Sequence, residues 1–504
     1  MKFLRCVETS LKRVRRPAAP RALRAALAFL SAALLPACIA VGPDYREPPA
    51  VDPGEGWTLP VASASGPADL ARWWRTLGDP VLERLIDTAL AQNLDLRRAE
   101  ARIGEARALR DRAAGGLLPA AAAAAGVNYR RQSENGPLPV GVIPGLEPTQ
   151  TIHDIGFDAS WEIDLFGGKR RALESAGARL QAVQIEAAGA RIRVVAEVAR
   201  AWFSAVGAAR ELAARKAAVA ALEQTLELVR RRHELGAAAS AEVEAAEAQW
   251  AAANAELPAP EARRRAAVLG LGVLLGGLPE RELALAEAAP AAFAPAPFPV
   301  GERADVLRRR PDVLAAERRL AAAVADIGVA KAELFPKLSI GVGGGFQALD
   351  AGQWFDSAST RFSILPLISW RLFDGGRVRA EIRAREAAER EAALAYEQAV
   401  LAALGDAERA LGDYRFGLET LERRRAAVAA GRRSREHAQA RYAAGDIALM
   451  ELLAAERLLR EAEAAAARAA TEAAMQLAAL YKALGGGWEA SADVVSAPPR
   501  APGS

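Results

Sequence analysis

Residues 161–172 (WEIDLFGGKRRA) and 370–380 (WRLFDGGRVRA) are two versions of one junction. In each, a segment with strand-like alternation reaches a glycine pair, Gly167-Gly168 or Gly375-Gly376, and passes into a run rich in Ala, Arg and Lys. Alternation reads as strand, the glycines let the chain change direction, and the run beyond has helical composition. A chain that makes this passage twice is internally duplicated, and each copy must set a strand end at the start of a long helix.

Other matches fix the extent of the duplication. Asp95, Leu96, Glu100 and Leu118-Pro119 recur as Asp312, Val313, Glu317 and Phe335-Pro336 at a shift of 217, and residues 232–236 and 276–277 recur as 441–445 and 485–486 at a shift of 209. Repeat 1 then covers 81–278 and repeat 2 covers 302–487, joined by a Pro-rich linker, 279–301, and followed by a Pro- and Ser-containing tail, 488–504, expected to be disordered.

Within repeat 1 the spacing of Leu82, Leu85, Ile86, Ala89 and Leu90 predicts one helix over 81–115, started at Asp79-Pro80 and ended at Gly115-Gly116. An Ala-rich strand follows at 117–131, then a turn-rich loop. Ile155, Phe157, Ala159, Trp161, Ile163 and Leu165 alternate with small or charged residues and predict a second strand over 152–166. A helix over 168–232 follows, about 100 Å long at 1.5 Å per residue. A tight turn over 232–240 leads to return helices over 241–257 and 261–275, separated by the stop Pro258-Ala259-Pro260. Repeat 2 reads as a helix, strands over 337–349 and 361–373, a long helix over 376–441 and a return helix from 447. Pro366 is expected to cost the last strand a ladder bond and to mark a bulge.

The first 37 residues are set apart. A basic stretch, 2–24, precedes an apolar run, 25–35, ending Leu35-Pro36-Ala37-Cys38. The run is too short to span a bilayer, which takes about 20 residues. It reads as a signal peptide with a lipobox-like end, so Cys38 is the expected new N-terminus, carrying diacylglycerol and palmitate, and 38–80 a lipidated arm. Losing eight Lys/Arg and one Glu with the signal leaves 58 basic and 61 acidic side chains, a formal charge of −3. The basic pI therefore belongs to the signal, and nucleic acid loses its support as a partner. Three histidines and two cysteines give neither a metal site nor a disulfide framework, and the lipid on Cys38 is the only covalent group expected, with no other cofactor. No G-x-S-x-G, P-loop or H-E-x-x-H is present, and the glycine run 341–345 is followed by Phe346 where a dinucleotide fingerprint needs glycine. No enzyme is indicated.

Two strands per repeat make four per chain. Four amphipathic strands cannot close a barrel, and an open edge is not tolerated in lipid. Strands that span a membrane must therefore be pooled among copies, eight from two chains or twelve from three. The long helices would then project together over about 100 Å, the depth of a periplasm, as an α-helical barrel. A leucine-seamed coiled coil is the alternative fate of such helices, in a non-pore periplasmic scaffold or adhesin lipoprotein. The run 169–232 is instead dominated by Ala, with Arg and Glu on several faces, which suits close packing around a wet interior.

Several motifs together carry a family resemblance: Cys38 with Val41-Gly42-Pro43-Asp44-Tyr45, Trp73-Trp74 with Asp79-Pro80, Leu165-Phe166-Gly167-Gly168, Arg309-Arg310-Pro311-Asp312-Val313 with Glu317-Arg318-Arg319-Leu320, Phe335-Pro336, and Arg441-Tyr442 with Gly445. In these the chain resembles the outer-membrane efflux factors of the TolC-like superfamily, in the OprM/NodT-type lipoprotein branch. The resemblance implies an α+β membrane protein and a homotrimer. Its shared 12-stranded outer-membrane β-barrel would be continued by a periplasmic α-helical barrel. The implied role is the exit duct of a tripartite efflux system, passively passing small molecules such as drugs outward, with a periplasmic adaptor and an inner-membrane transporter of the RND type as partners. The resemblance also assigns the turns to the adaptor-docking tip, with Arg232, Gly236, Ser240, Arg441 and Gly445 as candidates. A carboxylate ring near the aperture corresponds to Glu451, while a second family position is Ala454. Asp446 and Glu242 are further aperture candidates, since three carboxylates on a narrow axis would repel anions. Trp161 and Trp370 are expected at the inner lipid boundary, with Lys169, Arg170 and Arg377 beneath it. Asp374, absent from the first copy at that place, is expected to make the two junctions inequivalent.

Overall fold

A computed structural model describes residues 40–48, 52–54, 56–59, 70–133, 147–286 and 300–488. The signal 1–37, Cys38, much of the loop between the first two strands, most of the linker and the tail beyond 488 lie outside the described residues. The order is α1 (Pro80–Gln92), α2 (Leu94–Gly115), β1 (Ala120–Arg131), β2 (Thr149–Ile163), α3 (Gly168–Glu234), α4 (Ser240–Ala255), α5 (Pro258–Leu274), α6 (Arg303–Arg309), α7 (Pro311–Ala332), β3 (Lys337–Ala348), β4 (Thr360–Ser369), α8 (Arg377–Ala444) and α9 (Leu449–Ala483). No helix among the described residues is long and apolar enough to cross a membrane.

Contacts divide the chain into two compact units, and these are not the two repeats. One gathers the segment ending at Asp44 with Arg112–Leu173 and Val324–Glu386, and the other gathers Tyr45–Asp111, Glu174–Ala323 and the chain from Ala387 on. The repeats are interleaved because strands of both copies pair in one sheet, while helices of both copies share cores.

The first unit is built on an antiparallel sheet in the order β1-β2-β3-β4. Its register has two unlike faces. On one lie Ile155, Phe157, Ala159, Trp161 and Ile163 of β2, opposite Phe346, Gly344, Val342, Ile340 and Leu338 of β3, with Phe362, Ile364 and Ile368 of β4 continuing the rows. This face is apolar yet bare: Phe362 is 83% exposed and Ile368 71%. The other face carries Asp154, Gly156, Asp158 and Ser160 against Gln347, Gly345, Gly343 and Gly341.

Both pairings of β3 run residue for residue, so the bulge expected at Pro366 is absent. β4 is an edge strand, and a proline opposite Ile340 fits there by turning its missing N–H to the unpaired side. The second strand begins at Thr149 and ends at Ile163 rather than running over 152–166, because Asp164 leaves the ladder to cap the next helix. Likewise β4 stops at Ser369 instead of 373, since Asp374 caps α8 and the residues between adopt no regular structure.

In the second unit the expected helix over 81–115 is two helices, broken at Asn93. Its side-chain oxygen accepts the amides of Asp95 (2.9 Å) and Leu96 (3.2 Å), while its amide donates to the Leu274 carbonyl (2.8 Å). A side chain that caps α2 this way outcompetes continuation of α1. Pro258, read as a stop, opens α5 instead, where a proline costs no helical bond. The linker begins as a 3-10 helix, Pro279–Ala286.

The largest core joins α1, α3, α5, α8 and α9 through residues such as Leu85, Trp202, Leu271, Ala407 and Leu480. Trp73 stacks on Tyr481 at 4.3 Å. Buried Asp79 accepts the amides of Val81 (2.9 Å) and Leu82 (3.1 Å), and takes the Trp202 indole N–H at 2.8 Å. One carboxylate thus caps α1 and pins it to α3. A second hub is Glu211, 1% exposed, which accepts from Arg215 of its own helix (2.9 Å), Arg263 of α5 (2.7 Å) and Arg468 of α9 (3.5 Å). Three guanidiniums compensate the desolvation of that one carboxylate.

Asn93→Ala removes the α2 cap and orphans the Leu274 carbonyl. The expected loss is about 1–2 kcal/mol, read as a lower denaturation midpoint of the detergent-solubilised protein.

Candidate functional sites at the junctions and the helical tips

The two junctions are the same device built with different parts. At the first, Trp161 donates its indole N–H to the Leu117 carbonyl (2.9 Å); at the second, Trp370 donates to Leu334 (3.0 Å), the counterpart of Leu117. Each tryptophan ties the end of its strand to the chain entering the preceding one. Each long helix is then started by an aspartate. Asp164 accepts the amides of Lys169 (3.1 Å) and Arg170 (2.9 Å), and Asp374 accepts those of Gly376 and Val378 (both 2.9 Å). The Val378 amide, with that of Gly376, holds the exposed Asp374 carboxyl below its ordinary value, as expected of an acid at a helix N-terminus. The capping role of Asp374 is therefore not peculiar to the second copy: Asp164 performs the same task from a position before Leu165-Phe166, whereas Asp374 stands directly before its glycine pair.

The junctions do differ in their glycines. Gly167 has φ +78°, and a Cβ there would lie 2.5 Å from Ala40, whose neighbour Val41 donates to the Phe166 carbonyl (3.0 Å). A Cβ on Gly168 would be 2.8 Å from that of Ala332. Gly375 and Gly376, at φ +67° and +85°, face open space. The first pair serves close packing as well as turning, and the second serves turning alone.

The arm beside the first junction explains the 41–45 motif. Gly42 (φ +103°) sets its backbone against Gly328 of α7, where a Cβ would come within 2.5 Å. The nearly buried Arg171 reaches Asp44 at 2.5 Å and the Val41 carbonyl at 3.3 Å. In the other unit, Tyr45 donates to Glu317 at 2.8 Å, and burial raises its phenol well above the ordinary value. Gly328 and Arg171 had no signal in the sequence, since their partners lie far away along the chain.

The tips, in the second unit, are near-copies. At the first, the amide of Ala237 bonds the Arg232 carbonyl (2.7 Å) around Gly236 at φ +72°; at the second, Asp446 bonds Arg441 (2.9 Å) around Gly445 at φ +82°. Both are helix ends closed by a left-handed glycine that recovers an orphan carbonyl. The return helices start at Ala239 and Ala448 with φ,ψ of −75°,153° and −75°,155°. Glu242 and Glu451 therefore occupy the same place, the first turn of a return helix, where the positive helix end favours an acid.

The structure brings the tips together through one apolar cluster including Leu226, Val229, Tyr442, Leu449 and Leu453. The Arg232 guanidinium lies 5.2 Å over the Tyr442 ring, joining the ends of α3 and α8. Ser240 opens α4, and Ser240, Gly236, Arg441, Gly445 and Asp446 are exposed. Glu242 is half-buried and Glu451 exposed, and neither they nor Asp446 forms an ion pair among the described residues.

Sequence reasoning missed Glu456, one turn beyond Glu451. Burial pushes its carboxyl up, against Arg435 (3.8 Å) and Arg460, which pull it down. One Glu456 oxygen and one Arg460 nitrogen are buried without a hydrogen-bond partner. Its position in the second repeat corresponds to Glu247 in the first, which is exposed and pairs with Arg230.

The family model described as outer membrane efflux protein matches residues 85–277 and 303–486. The chain is 32% identical over 447 residues to the pyoverdine export outer membrane protein OpmQ of Pseudomonas putida, covering 87% of this chain and 93% of that one. It is 32% identical over 484 residues to outer membrane protein OprJ of Pseudomonas aeruginosa, covering 93% and 97%. Among solved structures, the outer-membrane channel OprN aligns with a TM-score of 0.79 at 35% identity, over 89% of this chain and 99% of that one.

Two outcomes follow from the geometry. Gly375→Ala carries only left-handed strain, about 1–2 kcal/mol, whereas Gly167→Ala adds overlap with Ala40, so its melting temperature falls further. Because Glu456 binds its proton more tightly folded than unfolded, the melting temperature of the native protein rises relative to Glu456→Gln as pH falls through the raised folded value, levelling off below the ordinary glutamate pKa of 4.5.

Proposed function

We propose, from the premise that this chain belongs to the outer membrane efflux protein family, that it forms the outer-membrane exit duct of a tripartite efflux system. It is an outer-membrane efflux protein, and OprN, which it resembles over most of its length, is an outer-membrane channel. The finer reading is a homotrimer whose three four-stranded sheets close one 12-stranded barrel. The long helices continue it toward the periplasm, the tips dock a periplasmic adaptor, and the adaptor joins an inner-membrane transporter of the RND type. The lipid on Cys38 would hold the arm to the membrane.

The bare apolar face of the sheet, with edges at β1 and β4 that pair with no other strand among the described residues, carries this reading. Lipid contact accounts for the face, and strand pairing between copies accounts for the edges. A periplasmic scaffold would leave Phe362, Ile364 and Ile368 in water. Transport in such a duct is passive: the wall offers a wet path and the pump partner supplies energy and most of the selection. Glu451, Asp446 and Glu242 are the aperture candidates, because an unpaired carboxylate repeated three times on a narrow axis holds cations and repels anions.

The test is direct. The purified full-length lipoprotein should migrate as a heat-sensitive trimer and conduct ions in planar bilayers, and Glu451→Ala should raise single-channel conductance. A monomer that does not conduct would overturn the duct, and unchanged conductance in the variant would remove Glu451 from the aperture.

A further inference from the structure

The polar face of the sheet holds a charge arrangement that the duct reading leaves unused. The register aligns Asp154 with Gln347, Gly156 with Gly345 and Arg361, and Asp158 with Gly343 and Ser363, all on the face opposite Phe157 and Ile155. Arg361 of β4 reaches over β3 to Asp154 of β2, with its Nη2 at 2.7 Å and Nε at 3.0 Å, and Gln347 donates to the same carboxylate at 2.9 Å. A side chain can cross a neighbouring strand in this way only where that strand is bare. A Cβ on Gly156 would stand 3.1 Å from the Arg361 Nη2, and one on Gly345 would stand 2.1 Å from the Ile155 carbonyl oxygen. A Cβ on Gly343 would lie 2.8 Å from an Asp158 oxygen, so that carboxylate also rests on glycine.

The glycine run of β3 with Gly156 is therefore a trough in which charged side chains lie flat on the wall. The charges in it do not cancel. Arg361 neutralises Asp154, whereas Asp158 is exposed and has no ion-pair partner among the described residues. Toward the helical end of this face, Glu162 is matched by Lys169 and Lys337 by Glu333. Arg130 sits near the opposite end of β1, beside Gln150. Asp158 also feels the field of Arg361, but that guanidinium is bonded to Asp154, so Asp158 is left as the carboxylate in the middle of the wall without a direct ion pair among the described residues.

We propose that Asp158 is a charge-selecting residue of the barrel wall, favouring cationic over anionic permeants, and that Arg361 sets the strength of that preference by cancelling Asp154. This rests on the duct reading, in which the polar face lines the pore because charge on the lipid face is costly. Three copies then place three carboxylates without ion-pair partners around the middle of the lumen, separate from the carboxylates at the tips and from Arg130 at the far end of β1. Because the side chains lie flat, they bias the charge of what passes without narrowing the bore.

Reversal potentials of the reconstituted full chain under a KCl gradient test this, at low ionic strength where screening is weak. Asp158→Asn should lower the K+ over Cl− permeability ratio by about two- to three-fold, the effect of roughly half a kT of wall potential acting oppositely on the two ions, and Arg361→Gln should raise it by a similar factor through the unmasked Asp154. Asp158→Glu keeps the charge and should leave the ratio unchanged. A conducting Asp158→Asn channel with the native reversal potential, or a shift toward chloride in Arg361→Gln, would overturn the proposal. Should Asp158→Asn fail to assemble, Arg361→Gln decides the matter alone. A native protein that does not conduct sinks the duct reading itself.

Discussion

A four-stranded sheet that is apolar on one face and unpaired at both edges cannot exist alone in lipid, and much of this protein follows from that constraint. Each unpaired edge strand presents backbone groups that need partners, and the bare face needs an apolar surrounding. In the proposed barrel, further copies of the chain meet the first need and hydrocarbon the second. The placement of Pro366 belongs to the same logic: with its pairing to β3 unbroken, the missing amide falls on the outer edge of β4. In the proposed closure that edge meets another copy, so the lost bond would fall between subunits rather than within one.

Setting strands directly onto helices of 67 and 68 residues creates a second demand, since a helix must begin where a ladder ends. Both junctions meet it with a tryptophan that ties down the strand and an aspartate that collects the first free amides of the helix. The glycines divide the remaining work. At Gly375-Gly376 only the turn needs them, whereas at Gly167-Gly168 the arm around Ala40 and the end of α7 press in as well. A duplicated sequence has thus kept one mechanical solution while its two copies acquired different neighbours.

The helical unit combines stiffness with buried charge. Asp79 and Glu211 are buried and hydrogen-bonded, so the first fixes two helices and the second three relative to one another. Glu456 near the tip is different: it is half-buried, with one oxygen buried and unpartnered and its carboxyl raised. A carboxylate so placed weakens the packing it sits in.

Local pattern determined a good deal. The duplication, the alternation of β2, the helical runs free of proline and the left-handed glycines at both tips are all set by neighbours in sequence. Errors of boundary arose where a side chain met a distant partner or a competing cap: Asn93 breaks a helix by engaging Leu274, and Asp164 ends a strand to start a helix. Pro258 and Pro366 misled for a related reason, because a proline is a breaker only where its missing amide is needed, and that depends on which side of the element is paired. Family membership was legible from motifs, but their physical purpose was not. Gly42 is explained by Gly328, and the glycine run of β3 by Arg361 reaching Asp154, 207 positions away. Sequence by itself determined the elements and their twofold repetition, since those follow from the chemistry of adjacent residues. Only the tertiary structure decided which charges cancel and which glycines are crowded, because both depend on atoms that folding alone brings within a few ångströms.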